Sequence, residues 1–395
     1  MLGQGRSEHI VTIAGTGEPG YGGDGQPGTA AALNEPKNVC FDAEGNLLIA
    51  DSENHVIRRL MHESGVIETV AGFVGIQRSG AEIPTAPVPA QHVEKEADPL
   101  ADVEDIPGQA YSQTPDLSGT VRYVVGQGIS KDRFAGDEGV ATCALLNFPS
   151  AVAVDSLGTL FIADTLNHRV RRVDSHTGII QTIAGTGQSK WTGDGGPGVS
   201  ASLNEPVALA LNGRFLYIAD QSNNRIRMLD LESGVITTVA GTGDSGYIGD
   251  GMPAGESSLA GPSGLALDQE GNLYIADTFN GRIRMIDRNT GILSTVAGDG
   301  AEFRYERGVN EQSQALARPY GIAITPQGHV LITDSDHHLI RKWDSTKKEM
   351  ILVAAGDGGP ASESSLSFPF GVAVDALGNI AIADTFNHRI RYIPI

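Results

Sequence analysis

The sequence predicts an all-β protein built from six copies of one four-stranded antiparallel sheet, and three observations lead to this prediction. The tripeptide Ile-Ala-Asp, or a close variant of it, recurs along the chain and ends at Asp51, Asp164, Asp220, Asp277, Asp334 and Asp384. The residues around each copy alternate as short strands do, and no helical period is present. Glycine is abundant, with 51 residues among 395, which suits a chain that turns often.

The repeat is clearest between Gly261 and Gly298. Its short runs of apolar and β-branched residues are Ser263–Asp268, Leu273–Ala276, Arg282–Ile286 and Leu293–Ala297, separated by turns rich in Gly, Asn and Asp. Such runs are typical of antiparallel strands. One four-stranded sheet cannot bury both of its faces, so neighbouring copies must stack around a common axis. The sequence therefore predicts a six-bladed β-propeller.

The two ends of the sequence predict how the ring closes. The last copy stops at Ile395 without a fourth strand, while a fourth-strand sequence, His9–Gly15, stands alone near the start of the chain. Pairing these two segments would complete the sixth blade and remove the open sheet edges. We therefore expect residues 1–395 to form a single closed domain.

The third strand of the repeat begins with a recognisable motif. Residues 167–171 read Asn-His-Arg-Val-Arg and residues 387–391 read Asn-His-Arg-Ile-Arg. The unit resembles the NHL repeat, named for Asn-His-Leu, in the bacterial form with a glycine-rich Gly-Asp-Gly connection. The resemblance covers nearly the whole chain except about residues 73–119, and it implies a six-bladed propeller. It implies little about activity, because the family includes binding platforms and its relatives include enzymes.

The segment 73–119 lacks the repeat and is rich in proline and acidic residues. Two interpretations remain open: a degenerate seventh blade or an insertion that leaves the ring at six. Proline at this density would interrupt the hydrogen bonds of interior strands, which favours the insertion. Residues 121–125 read as a further fourth strand. The insertion itself is either a lid or partner-docking arm, or a solvated linker.

Composition excludes several classes of protein. The net charge of −20 argues against a nucleic-acid partner, which would need a basic face. Two cysteines are too few for a disulfide framework or a four-thiolate zinc site. No apolar stretch is long enough for a membrane span. The N-terminus shows no signal peptide, so the sequence predicts a cytoplasmic protein, or a secreted one if this is the mature form.

Residues that recur in every blade are interpreted as structural. These are the Asp that ends each second strand and an Arg in each third strand, namely Arg58, Arg171, Arg227, Arg284, Arg341 and Arg391. A buried Asp is best satisfied by backbone N–H groups at the corner and by that Arg. The alternative is a ring of carboxylates that binds a cation such as calcium. The Gly-Asp-Gly turns around Asp24, Asp137, Asp194 and Asp250 resemble neither a phosphate loop nor an EF-hand.

Departures from the repeat are the better indication of a site. The residues after the first proline of each blade should lie at the mouth of the central channel, and they do not follow the repeat: Lys37, Ser150, Val207, Ser263, Tyr320 and Phe370. With the neighbouring Asn38, these are candidate binding residues. Lys37 and Tyr320 are candidate catalytic residues, able to orient an anionic or carbonyl substrate or to act as acid and base. The alternative is that this set only fills the channel.

Histidines occupy equivalent corners in several blades, and His168, His338 and His388 could bind a metal such as zinc if those corners point inward. The alternative is a structural role, because this His belongs to the repeat itself.

An aromatic residue recurs in the glycine-rich connections, at Tyr21, Phe134, Trp191, Tyr247 and Tyr305. These side chains either plug the space between blades or form a rim that binds a flat, apolar or peptide ligand.

Two classes of function follow from the sequence. The first is a platform that binds a peptide, a protein or a small molecule on the face carrying the glycine-rich connections. The second is an enzyme of the lyase or lactone- or ester-hydrolase type, with its site at the channel mouth and a possible need for zinc or calcium. The first-strand residues do not supply a set of metal ligands, which favours the platform.

Overall fold

The computed structural model describes residues 10–74, 76–77, 122–123, 133–300, 315–354 and 365–395. The described strands form six four-stranded antiparallel blades, and the predicted six-bladed propeller is thereby confirmed. Two further two-residue strands, Gly139–Val140 and Met252–Pro253, add to the outer edges of the second and fourth blades.

The blades are numbered here in chain order, and within each blade the first strand is innermost. Blade 1 consists of Pro36–Phe41, Leu47–Asp51, Val56–Leu60 and Ile67–Ala71. Blade 2 consists of Pro149–Val154, Leu160–Asp164, Arg169–Val173 and Ile179–Ala184. Blade 3 consists of Pro206–Asn212, Phe215–Asp220, Arg225–Asp230 and Ile236–Ala240. Blade 4 consists of Pro262–Leu267, Leu273–Asp277, Arg282–Ile286 and Ile292–Ala297. Blade 5 consists of Pro319–Ile324, Val330–Asp334, Leu339–Asp344 and Glu349–Ala354. Blade 6 consists of Pro369–Val374, Ile380–Asp384, Arg389–Ile393 and Val11–Ala14.

The only described helical segments are single 3₁₀ turns. They lie before the first strand, at Gly28–Ala30, Ala141–Cys143, Gly198–Ser200 and Ala254–Glu256, and at the corner between the second and third strands, at Ser52–Asn54, Thr165–Asn167, Gln221–Asn223, Thr278–Asn280, Ser335–His337 and Thr385–Asn387.

The second strands form the middle of the core. All residues of Leu273–Asp277 are buried, because both faces of this strand are covered by neighbouring blades. The first strands pack against one another around the axis. A Cβ atom on Gly371 would lie 2.7 Å from the backbone of Asn38, so the innermost strands of blades 6 and 1 approach too closely for a side chain there.

The ring closes as predicted. Val11–Ala14 pairs antiparallel with Arg389–Ile393, with Val11 opposite Tyr392 and Thr12 opposite Arg391. This strand is therefore the fourth strand of blade 6. Its contribution to the core includes Ala14, which is completely buried in a cluster with Ile390.

In blades 1 to 4 a network of ion pairs and hydrogen bonds joins the Asp that ends the second strand to the Gly-Asp-Gly turn through the third-strand Arg. In blade 3 the Asp220 carboxylate accepts a hydrogen bond from the Asn204 backbone N–H at 2.7 Å and pairs with Arg227 at 3.3 Å. Arg227 also pairs with Asp194 of the Gly-Asp-Gly turn at 2.7 Å. The same arrangement recurs in blades 1, 2 and 4. The structural interpretation of the repeated Asp and Arg is confirmed, and the Gly-Asp-Gly Asp is the second partner of that Arg.

The chain divides into two units, Met1–Val74 with Ile129–Ile395, and Gly75–Gly128. In the second unit the structure describes Ile76–Gln77 and Arg122–Tyr123, which pair antiparallel with each other. The expected fourth strand at 121–125 is therefore represented by two residues that belong to none of the six blades. Most of the segment 73–119 lies outside the described residues, and its role as insertion, lid or linker stays a prediction.

Candidate functional site

The channel mouth encloses a cavity of about 290 Å³. All six residues that follow the first prolines line it, as does Asn38, so the structure brings together the side chains that the sequence singled out. They reach one cavity because each first strand begins at the same face of the ring, next to the glycine-rich connection that precedes it. The set is Lys37, Ser150, Val207, Ser263, Tyr320 and Phe370.

Lys37 is held inside a cage of aromatic rings. Its Nζ lies 4.2 Å from the ring centre of Phe370, 5.3 Å from that of Phe386 and 5.6 Å from that of Phe148. The ammonium pairs with Glu35 at 3.1 Å, and the Lys37 side chain is only 12% exposed. Burial lowers the pKa of Lys37, and Glu35 opposes that shift. The aromatic faces and one carboxylate therefore stabilise a largely desolvated cation.

Tyr320 stacks on Phe370, with ring centres 4.3 Å apart. Burial raises the pKa of the Tyr320 hydroxyl, while the nearby Gln221 side chain acts in the opposite direction. Phe370 belongs to blade 6, and Tyr320 and Lys37 belong to the two blades on either side of it. The aromatic ring therefore lies between the two candidate catalytic groups.

The smaller polar residues at the mouth are engaged in packing the blades. The Asn38 side-chain oxygen accepts a hydrogen bond from the Val152 backbone N–H at 3.3 Å. The Ser150 and Thr165 hydroxyl oxygens lie 2.9 Å apart, within hydrogen-bond distance, and the Ser263 hydroxyl donates to the Tyr320 carbonyl at 3.1 Å. These contacts fix the walls of the cavity.

Gln221 is a site residue that the sequence reasoning missed. The equivalent residue in the other blades is Ser or Thr, and its hydroxyl donates to the carbonyl of the next blade's proline: Thr165 to Pro206 at 2.7 Å, and Thr278 to Pro319 at 2.9 Å. Gln221 replaces this hydroxyl, lines the cavity, and buries an amide nitrogen that has no hydrogen-bond partner among the described residues. Aligning the six corners by sequence would have revealed this exception.

Glu205 is a second missed residue. It precedes Pro206 and has a left-handed backbone (φ 55°), as do the residues before the other first-strand prolines. Its carboxylate lines the cavity and accepts a hydrogen bond from the Ser222 hydroxyl at 2.5 Å. It makes no ion pair with any residue in the described part of the chain. The residue before the first-strand proline varies in type among the six blades, and this variation is the sequence signal that could have identified Glu205.

The corner histidines join neighbouring blades. The Nδ1 atoms of His168, His338 and His388 accept hydrogen bonds from the backbone N–H groups of Glu205, Phe368 and Glu35 at 3.0 to 3.1 Å. Each bond reaches the residue before the next blade's first proline, so the three rings are engaged at three separate blade junctions. Within the described ranges, no group of three His, Cys, Asp or Glu residues is placed to hold a metal ion. The structure does not bring the proposed zinc ligands, or the ring of carboxylates, together.

The aromatic residues of the connections lie over arginines, away from the channel cavity. Phe134, Trp191 and Tyr247 stack on Arg169, Arg225 and Arg282, with distances of 3.7 to 3.9 Å. Tyr21 covers Arg58 at 5.1 Å, and its hydroxyl bonds Asp24 at 3.0 Å. These contacts favour packing over a ligand-binding rim. Tyr305 lies outside the described residues.

Comparison with known families agrees with the repeat. The model of the NHL repeat matches residues 146–173 and 316–343, and the model of the teneurin NHL domain matches residues 242–307. The propeller and its corner geometry define the class, a six-bladed repeat protein with a ligand-sized cavity at one channel mouth. The chain is an NHL-repeat β-propeller.

Individual relatives support the fold and leave the activity undecided. The Arabidopsis thaliana protein SUPPRESSOR OF QUENCHING 1, chloroplastic, is 31% identical over 303 residues, covering 71% of this chain and 27% of its own length. The chain thus spans about a quarter of that relative. An auxiliary nutrient binding protein from Bacteroides ovatus (TM-score 0.58, 11% identity, 98% of this chain and 76% of that one) has the same fold. A gluconolactonase from Xanthomonas campestris shares it too (TM-score 0.53, 11% identity, 98% and 89%).

No helix in the described ranges is long and apolar enough to cross a membrane.

Proposed function

We propose that this protein is a binding module that takes a small molecule, or one end of a peptide, into the mouth of its central channel. The observation that carries the proposal is the breakdown of the repeat at this one place. Equivalent blades would carry the same residue at these positions, yet the six side chains there are of five types and line one cavity, together with the Gln221 amide nitrogen, which has no hydrogen-bond partner among the described residues. Concave, partly apolar cavities with a few convergent polar groups are the usual sites for small ligands.

The enzyme alternative receives less support from the geometry. It requires Lys37 and Tyr320 to act on one reacting group, and Phe370 lies between them. An acid and a base must both lie within hydrogen-bond reach of the reacting atoms. The arrangement therefore favours binding, with Lys37 and Tyr320 as contact residues on two sides of an aromatic wall.

The proposal is tested by a ligand screen on the protein and on a variant in which a larger side chain fills the channel-mouth cavity. Small molecules and short peptides are screened for their effect on the thermal unfolding midpoint, since a ligand that binds the folded state raises it. Val207 lines the cavity, and Val207→Phe fills it; the control Val199→Phe changes a side chain that is 53% exposed elsewhere. Ligands of the native protein should lose their effect in V207F and keep it in V199F. Ligands that stabilise V207F equally would contradict a site at the channel mouth.

A further inference from the structure

The charges at the channel mouth point to the chemical class of the ligand. Two ion pairs lie there, Lys37 with Glu35 at 3.1 Å and Arg318 with Asp336 at 3.3 Å. Two more carboxylates, Glu53 and Glu205, add negative charge. Glu53 lies beside the first pair, where burial and Glu35 both raise its pKa. The mouth therefore carries an excess of negative charge, which attracts cations and repels anions.

Glu205 is the carboxylate among these that lines the cavity. Its hydrogen-bond partner is the neutral Ser222 hydroxyl, and burial lowers the pKa of the neighbouring His168, whose Nδ1 accepts a hydrogen bond, so no charged side chain among the described residues pairs with Glu205. It lies close enough to Tyr320 to raise the pKa of that hydroxyl. A partly buried carboxylate without a counter-ion is stabilised when a cation binds beside it.

The same mouth already holds one ammonium group against aromatic rings. The Lys37 Nζ lies 4.2 to 5.6 Å from the centres of three phenylalanine rings and pairs with one carboxylate, and these contacts offset part of the cost of burying its charge. Tyr320 and Phe370 supply a stacked apolar surface beside the cavity. The Gln221 side chain adds a polar group on the side of Tyr320.

We infer that the cavity binds an organic ammonium ion with an apolar or aromatic body, its charged head paired with Glu205 and its body against Tyr320 and Phe370. This inference rests on the proposed function and specifies its ligand class. In this arrangement Lys37 keeps its own pairing with Glu35, and the ligand brings the counter-charge that none of the described residues gives Glu205. The cavity volume of about 290 Å³ suits a ligand with a single ring and a short amine chain.

The test compares three probes with the same body. Phenethylamine, 2-phenylethanol and phenylacetate carry a positive, a neutral and a negative head, and their affinities are measured by isothermal titration calorimetry on the full chain. We expect phenethylamine to bind most tightly. Glu205→Gln should weaken it at least about tenfold, since the charge pair is lost while the shape remains.

The control Glu63→Gln makes the same change of net charge at an exposed residue outside the cavity, and it should leave all three affinities unchanged. Tightest binding of phenylacetate, weakened by Lys37→Met, would overturn the ammonium class and leave the binding site intact. Absence of phenethylamine binding, or binding insensitive to E205Q, would also overturn it. The proposed function is decided separately, by the response of screened ligands to V207F.

Discussion

At the scale of single residues, the six blades share a set of repeated residues and depart from that set at a few positions. The repeated residues pair with one another: in blades 1 to 4 a corner Asp, a third-strand Arg and a Gly-Asp-Gly Asp form one network, although the Arg Nε atoms have no partner among the described residues. The exceptions concentrate around the channel mouth, where Gln221 replaces a hydroxyl and its buried amide nitrogen has no hydrogen-bond partner in the described part of the chain. A protein tolerates such a loss where the side chain serves another purpose.

Replacing Gln221 with the repeat's own residue should stabilise the protein. In Gln221→Thr, the hydroxyl can donate to the proline carbonyl of blade 4 as Thr165 does to that of blade 3. We expect the free energy of unfolding to rise by about 1 kcal/mol, the usual net value of one buried hydrogen bond. Urea unfolding measures it. The reverse change Thr165→Gln should cost a similar amount, and a destabilised Q221T would contradict this explanation.

The corner histidines make stability sensitive to acid. His55 accepts a hydrogen bond from the Phe148 N–H at 2.9 Å, and burial, aided by Arg133, lowers its pKa to about 4. Between about pH 6.5 and about pH 4, His55 is therefore protonated in the unfolded chain and neutral in the folded chain. The free energy of unfolding accordingly falls as the pH falls through this range. At pH 5 this one residue should cost about 2 kcal/mol relative to pH 7.

Blade 3 supplies the variant that tests this. Asn224 occupies the equivalent corner and accepts the same hydrogen bond from Gly261 at 2.9 Å without a titrating ring. His55→Asn should keep the blade junction and lose about 2 kcal/mol of the difference between pH 7 and pH 5, measured by urea unfolding. Asn224→His should gain acid sensitivity. An unchanged pH dependence in H55N would refute this role for His55.

At the scale of elements, the fourth strand of blade 6 is the closure of the ring. Val11–Ala14 covers the edge of Arg389–Ile393 and buries Ala14. Closely packed glycines of the innermost strands support the junctions: a Cβ on Gly264 of blade 4 would lie 2.2 Å from the Tyr320 carbonyl oxygen of blade 5. Backbone contacts therefore join each blade to the next, and the pairing of Val11–Ala14 with Arg389–Ile393 completes the last blade.

Removal of the closing strand should expose a sheet edge. We expect deletion of residues 1–15 to lower the free energy of unfolding by at least about 2 kcal/mol, because the buried surface of this strand is lost. The open edge should also promote self-association. Urea unfolding and light scattering measure the two effects. Deletion of residues 1–8 alone, which leaves the strand intact, is the control; equal behaviour of both deletions would show that the strand does not close the ring.

For the whole molecule, the metal alternative has a direct test. The described residues provide no cluster of metal ligands, and the corner histidines use Nδ1 to join blades. We therefore expect chelation by EDTA to leave the thermal unfolding midpoint unchanged. Calorimetry with and without EDTA, together with the metal content of the untagged protein, measures this. One equivalent of bound zinc or calcium, with a lower midpoint after chelation, would restore the metal-dependent alternative.

The sequence by itself determined the number of blades, their strands, the closure and the structural role of the Asp–Arg pairs, because each is encoded locally and repeated six times. It also identified the six channel-mouth positions, since the repeat places them in one ring. Only the tertiary structure decided what surrounds them: Phe370 between Lys37 and Tyr320, Glu205 on the cavity wall, and the corner histidines engaged at blade junctions. These relations join residues of different blades, and side-chain packing across the ring leaves no local pattern in the chain.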